Sequence, residues 1–311
     1  MPKIVIAGGS GLLGRATTHY FLELGWEVVI CSRHSQSGTS NQNKFRHVVW
    51  LPESQDTEQF SGELSNTDVI INFSGASIAQ RWTNKTKKEI VSSRVVSSNL
   101  IGHSILQAGI AESIVCINMS GIGYYGDVNE VEITEEAPNG SGFLAHVCNS
   151  WEKSATQFKD EIRNLVLMRT GMVLSSFGGV FLRLNSSAKI LPLSFGDGNN
   201  YMPFIHVDDF VRIIELASNK GILGPVNVCT DQPITSRELA LQFAEKYNRK
   251  IVANIPEWAL KIAESMVQFP SEMVLFGQRA IPSKLIQSGF QFNFSTMKSC
   301  IDHLSIQLKE H

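Results

Sequence analysis

The sequence lacks the features that would assign it to three large classes of protein. It has no excess of positive charge, because 27 Lys and Arg stand against 29 Asp and Glu, so no nucleic-acid partner is expected. It has no apolar run near the roughly 18 residues of a membrane span, and its first residues show no signal-peptide layout. With 18% charged and 43% hydrophobic residues, it is not composed like a disordered chain. These absences predict a cytoplasmic globular protein that binds neither nucleic acid nor a membrane.

Cysteine is too scattered for a disulfide framework or a zinc site. The five cysteines are odd in number and form no Cys-x-x-Cys pair. We therefore expect buried, reduced thiols and no metal site. The residues are Cys31, Cys116, Cys148, Cys229 and Cys300.

The first half of the chain alternates short apolar runs with helical repeats. This alternation predicts βαβ units and a doubly wound parallel sheet of the α/β class. The predicted strands are 3–7, 27–31, 47–50, 68–73, 113–119 and 165–169. The predicted helices are 12–24, 84–108 (with Thr83 as its N-cap) and 142–158.

A glycine-rich segment follows the first predicted strand and opens the first helix. It reads Gly8-Gly9-Ser10-Gly11-Leu12-Leu13-Gly14, which permits both a GxGxxG and a GxxGxxG register. Glycines in this position let the backbone approach a pyrophosphate at a helix N-terminus. The segment predicts a dinucleotide site whose contacts are Gly8, Ser10, Gly11, Leu12, Leu13 and Gly14.

The end of the second strand indicates which dinucleotide is bound. An NAD enzyme usually has Asp or Glu there for the ribose hydroxyls, but this chain has Ser32 and Arg33. Arg33 can bind a 2′-phosphate and Ser32 can add a hydroxyl, which favours NADP(H) over NAD(H). The alternative is that Arg33 is a solvated surface residue.

The chain is predicted to have a Rossmann-type NADP-binding domain, 1–170, and a smaller, mainly helical substrate-side region, 171–311. Glycines and loops interrupt the pattern after Thr170. Helices are predicted at 207–218 and 236–247, and a strand at 225–229 is expected to return to the sheet.

Several motifs after the strand ends resemble the extended short-chain dehydrogenase/reductase superfamily, which contains nucleotide-sugar epimerases. They lie at 8–14, 68–75, 120–126, 169–174 and 204–209. More narrowly, the chain is similar to the atypical "epimerase family protein" branch, on the segments 81–83, 93–94, 123–127, 151–152 and 277–279. This resemblance implies a family-specific C-terminal module, here about 248–294.

The Tyr-x-x-x-Lys dyad on which the superfamily's chemistry usually depends is missing. The residues four positions after the five tyrosines are Leu24, Val128, Asn129, Ile205 and Ile251. On the expected catalytic helix the resemblance places Leu144 and Cys148 where the dyad would stand, and neither can perform the same proton transfer.

Ser120 and Tyr125 are the candidate catalytic residues that remain. Ser120 ends the fifth strand, where the resemblance places a catalytic Ser or Thr, and the alternative is a strand-end cap. Tyr125 is an alternative acid, against the simpler view that it is a buried aromatic residue. His146 is a further titratable candidate, against a surface histidine, and Cys148 would be a nucleophile only with a lowered pKa.

The resemblance also implies cofactor contacts outside the glycine segment. Phe73, Ser74 and Gly75 should pass the ribose and pyrophosphate, and Met172 and Val173 should border the nicotinamide. A cofactor-facing pair of Glu89 and Arg94 is implied, and the alternative is an exposed helix pair.

His206, Asp208 and Asp209 superficially suggest a metal cluster. An Asp acting as N-cap of the next helix explains the motif more simply. No metal is therefore expected at this segment.

Two functions remain open. The first is an NADP(H)-dependent oxidoreductase or epimerase-like enzyme acting on an unknown small polar substrate, possible as a homodimer. The second is a noncatalytic NADP(H)-binding redox sensor or regulator, because the cofactor loop is retained while the dyad is missing.

Overall fold

A seven-stranded parallel sheet lies at the centre of the molecule. The computed structural model describes residues 1–33, 44–54, 56–266 and 270–310. The strands of these residues are β1 (Lys3–Ala7), β2 (Glu27–Ser32), β3 (Phe45–Val49), β4 (Val69–Asn72), β5 (Val115–Gly121), β6 (Val128–Ile133), β7 (Leu165–Thr170), β8 (Met172–Leu174), β9 (Leu193–Phe195), β10 (Phe204–His206), β11 (Gly224–Val228), β12 (Ala253–Ile255) and β13 (Gln278–Ala280).

Helices cover both faces of the sheet. They are α1 (Leu12–Glu23), α2 (Thr57–Glu63), α3 (Asn84–Gln107), α4 (Phe143–Thr156), α5 (Val180–Ala188), α6 (Val207–Ser218), α7 (Ser236–Lys246), α8 (Glu257–Met266), α9 (Glu272–Leu275), α10 (Ser283–Gln287) and α11 (Met297–Glu310). Helices α1 and α6 pack together on one face, and α2, α3 and α4 on the other. Both faces of the strands are therefore buried, as their continuous apolar runs require.

The order of the strands is β11-β7-β5-β4-β1-β2-β3, and every pair in this sheet is parallel. The chain moves outward from β1 to β3, then crosses back to β4 and continues the other way. The reversal leaves a crevice at the carboxyl ends of β1 and β4, which is where a doubly wound sheet binds its ligand. The predicted α/β doubly wound fold is confirmed.

The second half contributes one strand to this sheet and forms three small strand pairs. The predicted return strand is confirmed, since β11 pairs with β7. The pairs β8–β10, β9–β12 and β6–β13 were not predicted. Helices α5, α7 and α11 share a separate apolar core with Leu174 and Phe204. Positions 267–269 of the predicted module 248–294 lie outside the described residues.

The five cysteines are free and buried, as expected. Burial raises the pKa of Cys31 and of Cys116 to about 12, so these thiols are protonated and inert at neutral pH. Among the described residues, no helix is long and apolar enough to cross a membrane.

Candidate functional site

Two adjoining cavities lie along the carboxyl edge of the sheet. The first cavity, of about 420 Å³, opens at the ends of β1, β2 and β4. It is lined by Gly8, Ser10, Gly11, Ser32, Arg33, Trp50, Pro52, Glu53, Phe73, Ser74, Gly75, Ala76, Glu89, Ser92, Ser93 and Val96. Most of the predicted cofactor contacts therefore lie around one crevice.

The glycine segment is shaped by close backbone contacts. Gly8 has a φ of +79°, and a Cβ on it would lie 2.9 Å from the carbonyl carbon of Phe73. A Cβ on Gly9 would meet the Ile30 side chain at 2.6 Å, and one on Gly14 would meet the Gly9 Cα at 2.5 Å. A Cβ on Gly11 would not clash, because its nearest neighbour would be the Gly8 carbonyl oxygen at 3.5 Å. A side chain at Gly8, Gly9 or Gly14 would clash with its neighbours, so the GxGxxG and GxxGxxG registers each contain glycines that the packing requires.

Unsatisfied polar groups lie at the first cavity. Helix α1 begins after Gly11 without a side-chain cap, so its first N–H groups are free for an anion. Ser74 Oγ is buried and has no hydrogen-bond partner among the described residues. Two kinds of donor thus lie at one crevice, which fits the pyrophosphate and ribose of a dinucleotide.

The residues expected to select the dinucleotide lie at the end of β2. Arg33 is exposed on the wall of the first cavity. Within the described part of the chain, no carboxylate forms an ion pair with it. Ser32 lies beside it, with its Oγ 2.8 Å from Nε2 of His47.

Six predicted cofactor residues, Gly14 and Arg94 among them, do not line the first cavity. Leu12 lies against Gly178 and Gly179, and Leu13 packs on the main core, so only their backbone N–H groups remain available. Met172 lines the second cavity, and Val173 packs on the main core.

The expected pair of Glu89 and Arg94 is wrong. Glu89 is exposed on the wall of the first cavity, whereas Arg94 is only 9% exposed and lies over the Trp151 ring. The Arg94 guanidinium donates to the carbonyl oxygens of Ala76 and Ile90, both at 2.9 Å. Residues five positions apart lie about 140° apart around a helix, so their side chains do not meet. Arg94 instead holds the loop that follows β4.

The second cavity, of about 570 Å³, lies between the sheet and the C-terminal segments. Its lining residues are Ser77, Ile78, Ala79, Gly121, Ile122, Gly123, Leu144, Cys148, Thr170, Gly171, Met172, Gly179, Val180, Arg183, Tyr201, Met202, Pro203, Glu272, Met273, Val274, Phe276 and Gln278. The two positions that the resemblance assigned to the dyad, Leu144 and Cys148, are both among them. Burial raises the pKa of Cys148 to about 11, so the lowered pKa that a nucleophile would need is not found here.

Ser120 and Tyr125 belong to a buried polar network and do not line the cavity. Ser120 Oγ donates to Oε1 of Glu152 at 2.7 Å. Tyr125 is 1% exposed, and its hydroxyl donates to Oδ1 of Asn227 at 2.7 Å. Burial raises the pKa of Tyr125 to about 12. The position of Tyr125 does not fit an acid acting on a cavity ligand, because its hydroxyl is enclosed in the core.

Arg169 is the centre of this network. Its Nε and Nη2 donate to the two carboxylate oxygens of Glu152 at 2.9 and 2.8 Å. Its Nη1 donates to the hydroxyl of Tyr125 and to the carbonyl oxygen of Glu135. Both charged side chains are under 10% exposed. This bidentate pair joins α4 to β7.

No motif of the sequence pointed to Glu272, which begins α9. Its Oε1 accepts from the backbone N–H of Leu144 at 2.7 Å, and its Oε2 accepts from that of Phe143 at 3.2 Å. The N-cap of α4, Gly142, supplies no side-chain cap of its own. A carboxylate from the C-terminal module therefore caps α4.

The prediction of an Asp N-cap for α6 is wrong, because His206 has that role. Its Nδ1 accepts from the backbone N–H of Asp208 at 3.0 Å, and its Nε2 lies 3.1 Å from Nδ1 of His303. Ligand atoms of His206, Asp208 and His303 all lie within 4.8 Å of one another, so the group could reach a metal ion. Both ring nitrogens of His206 already have partners. The other histidine candidate, His146, is exposed on α4.

Burial of His206 is expected to make stability depend on pH. Burial, and then His303, lowers the pKa of His206 from 6.5 to about 3. The pKa of His206 is lower in the folded than in the unfolded protein. The contribution of neutral His206 to folding stability is therefore complete above pH 6.5 and is lost as the pH falls towards 3. Between these two pH values the free energy of unfolding should fall by about 1.4 kcal/mol for each pH unit.

Urea unfolding of the wild type and of His206→Asn between pH 5 and 8 measures this slope. Asn can still cap the helix but does not titrate. The wild type is expected to lose stability below pH 6.5 more steeply than the variant. Parallel curves would contradict the prediction. The range stops at pH 5 because burial raises the pKa of Asp208, and that group acts in the opposite direction.

Comparison with known proteins adds to this geometry. A model described as the NAD dependent epimerase/dehydratase family matches residues 4–229, and one described as a domain of unknown function (DUF1731) matches 255–304. An epimerase family protein of Mycobacterium bovis is 32% identical over 96% of this chain and 96% of its own. The epimerase family protein YfhF of Bacillus subtilis is 32% identical over 97% of both chains.

Similarity of fold extends to solved structures. A human epimerase family protein solved with NADPH matches with a TM-score of 0.85. The match covers 98% of this chain and 100% of that one, at 22% sequence identity. At that identity the comparison supports the fold.

Proposed function

Because the chain belongs to the NAD-dependent epimerase/dehydratase family, we propose that it is an NADP(H)-binding enzyme with an oxidoreductase or epimerase-like activity. Its substrate would be a small polar compound in the second cavity. The observation that carries this proposal is the first cavity, where the glycine cradle, the uncapped start of α1 and the unpartnered Ser74 hydroxyl converge.

The residues of the first cavity fit the parts of a nicotinamide dinucleotide. The backbone of Gly8 to Gly14 and the N–H groups of α1 would hold the pyrophosphate. Ser74 would bond the ribose, and Arg33 with Ser32 would bind a 2′-phosphate. When bound, the nicotinamide ring would supply two-electron chemistry at the carboxyl edge of the sheet.

Arg33→Ala tests the preference for NADP(H). Loss of a charge-assisted contact with a phosphate should weaken NADPH binding by about 10- to 100-fold, corresponding to roughly 1.5–3 kcal/mol. NADH lacks the 2′-phosphate, so its affinity should change by less than about threefold. Fluorescence titration of the nicotinamide with both proteins measures the two dissociation constants.

Arg15→Ala serves as the matched control, because Arg15 is an exposed arginine of α1 that does not line the first cavity. It should leave both affinities unchanged. An equal loss for NADPH and NADH in Arg33→Ala, or a wild type that prefers NADH, would refute the assignment.

The enzymatic half of the proposal is tested by following NADPH oxidation with a panel of carbonyl compounds and nucleotide sugars. Turnover would support it. The hydrogen bonds of Ser120 and Tyr125 favour a role in positioning Glu152 and Arg169 rather than in proton transfer. Another group must then exchange the proton.

A noncatalytic NADP(H)-binding regulator is the second candidate. The observation that favours it is Leu144, an apolar side chain at the cavity wall where the resemblance expects the catalytic tyrosine. Tight NADPH binding without turnover across the panel would support this function and count against the first.

The five buried free thiols also favour a reducing compartment such as the cytoplasm.

A further inference from the structure

One carboxylate lines the second cavity and not the first. Glu272 lies on the cavity wall with Leu144 and Cys148. Its two oxygens accept hydrogen bonds from the N–H groups of Phe143 and Leu144, so the group is fixed in position and acts as an acceptor. A carboxylate oxygen accepts more than one hydrogen bond, so each retains acceptor capacity for a ligand.

The position of Glu272 relative to the missing dyad is the main argument. Leu144 occupies the position that the resemblance gives to the catalytic tyrosine. The hydrogen bond from Leu144 N to Glu272 Oε1 is 2.7 Å long, so the carboxylate stands next to the residue that lacks the phenol. The C-terminal module thus brings a titratable group to the place where the Rossmann part has lost one.

The surroundings are suited to proton exchange. Among the described residues that line this cavity, Glu272 is the acidic one and Arg183 the basic one. Apolar side chains, including Ile122, Met172 and Val274, form much of the remaining wall. Partial exclusion of water strengthens the interaction of a fixed carboxylate with a substrate hydroxyl.

We propose that Glu272 is the group that exchanges a proton with the substrate oxygen in the second cavity. This inference rests on the proposed enzymatic function. When an alcohol becomes a carbonyl, the hydroxyl O–H bond breaks and its proton passes to a carboxylate oxygen of Glu272. A bound oxidised nicotinamide dinucleotide would take up the carbon-bound hydrogen with its electron pair. In the reverse direction Glu272 returns the proton to the carbonyl oxygen.

Glu272→Gln is the first variant, because an amide oxygen can still accept from Leu144 N but cannot take up the proton. For each compound of the carbonyl panel that the wild type reduces, kcat should fall about 10²-fold or more. The dissociation constant of NADPH, measured by fluorescence, should stay within about threefold. Acetate added to Glu272→Ala should restore part of the rate, since it supplies a carboxylate to the vacated space.

Glu257→Gln is the matched control, since Glu257 is an exposed residue of the same module paired with Lys261. It should keep wild-type kinetics. Tyr201→Phe removes the phenol that also lines the cavity. A large loss of kcat in Tyr201→Phe with less than a threefold change in Glu272→Gln would overturn the proposal.

A labelling experiment tests Glu272 without turnover and separates its failure from that of the proposed function. Glycidol, a small epoxide, is opened by a carboxylate oxygen: a new C–O ester bond forms, a ring C–O bond breaks, and water protonates the alkoxide. Peptide mass spectrometry should find the adduct on Glu272 in the wild type. Adducts on exposed carboxylates such as Glu257, with none on Glu272, would overturn the proposal even if the enzyme has no substrate in the panel.

Discussion

Glu152→Ala is expected to lower the free energy of unfolding by about 3–5 kcal/mol, because it leaves the guanidinium of Arg169 buried without its partner. Arg169 is 3% exposed, and two of its nitrogens donate to the Glu152 carboxylate. Its remaining partners, the Tyr125 hydroxyl and the Glu135 carbonyl, are neutral and do not compensate the charge. The same variant removes the acceptor of Ser120. Urea denaturation at pH 7 measures the loss.

The double variant Glu152→Leu/Arg169→Met distinguishes this cause from simple loss of packing. With both charges replaced by apolar groups of similar volume, most of the stability should return. Glu257→Ala, which breaks an exposed pair with Lys261, should cost no more than about 1 kcal/mol. If Glu152→Ala lowers the free energy of unfolding by less than about 1 kcal/mol, the buried pair does not stabilise the fold more than an exposed pair does.

Gly14→Ala is expected to destabilise the protein and to abolish nucleotide binding. Helix propensity alone predicts a gain of about 1 kcal/mol for Ala over Gly inside a helix. The new Cβ, however, would lie 2.5 Å from the Gly9 Cα and 2.6 Å from the Gly9 carbonyl oxygen. Since these are backbone atoms, either α1 or the loop must move. We expect a loss of about 1–3 kcal/mol and at least a 100-fold weaker NADPH affinity.

Gly62→Ala is the control for Gly14→Ala, because Gly62 is a helical glycine of α2 with no atom within 4 Å of an added Cβ. It should stabilise the protein slightly and leave NADPH binding unchanged. Thermal unfolding with and without NADPH reports both effects for each variant. If the Gly14→Ala protein binds NADPH with wild-type affinity, the close approach of α1 to Gly9 is not needed for nucleotide binding.

The sequence predicts the sheet well because its strands are continuous apolar runs between helical repeats. The strand 3–7 was predicted with its observed bounds, and Thr83 caps α3 as expected. The family resemblance is confirmed by the match of residues 4–229. The strands after Thr170 were missed because each of β8, β9, β10, β12 and β13 has three residues, too few for a period to be recognised.

The first cavity was more predictable than the second one for a physical reason. Gly8 and Arg33 directly follow strands β1 and β2, and Gly11 is the N-cap of α1, so local sequence patterns place all three. Glu272 and Leu144 are 128 positions apart, and no local spacing brings them together. The Glu89–Arg94 error has a local cause, because the side chains lie on different faces of α3. His206 was missed as a cap because Asp is the commoner cap residue.

The cap that Glu272 supplies to α4 also sets an order of events during protein synthesis. A ribosome releases α4 well before it reaches Glu272, so the first N–H groups of that helix have only water as partner until the C-terminal module is made. The newly made Rossmann part can adopt its strand order up to β7, yet one wall of the second cavity is still absent. A chain that stops before the module is complete would therefore carry an open cavity and a frayed α4.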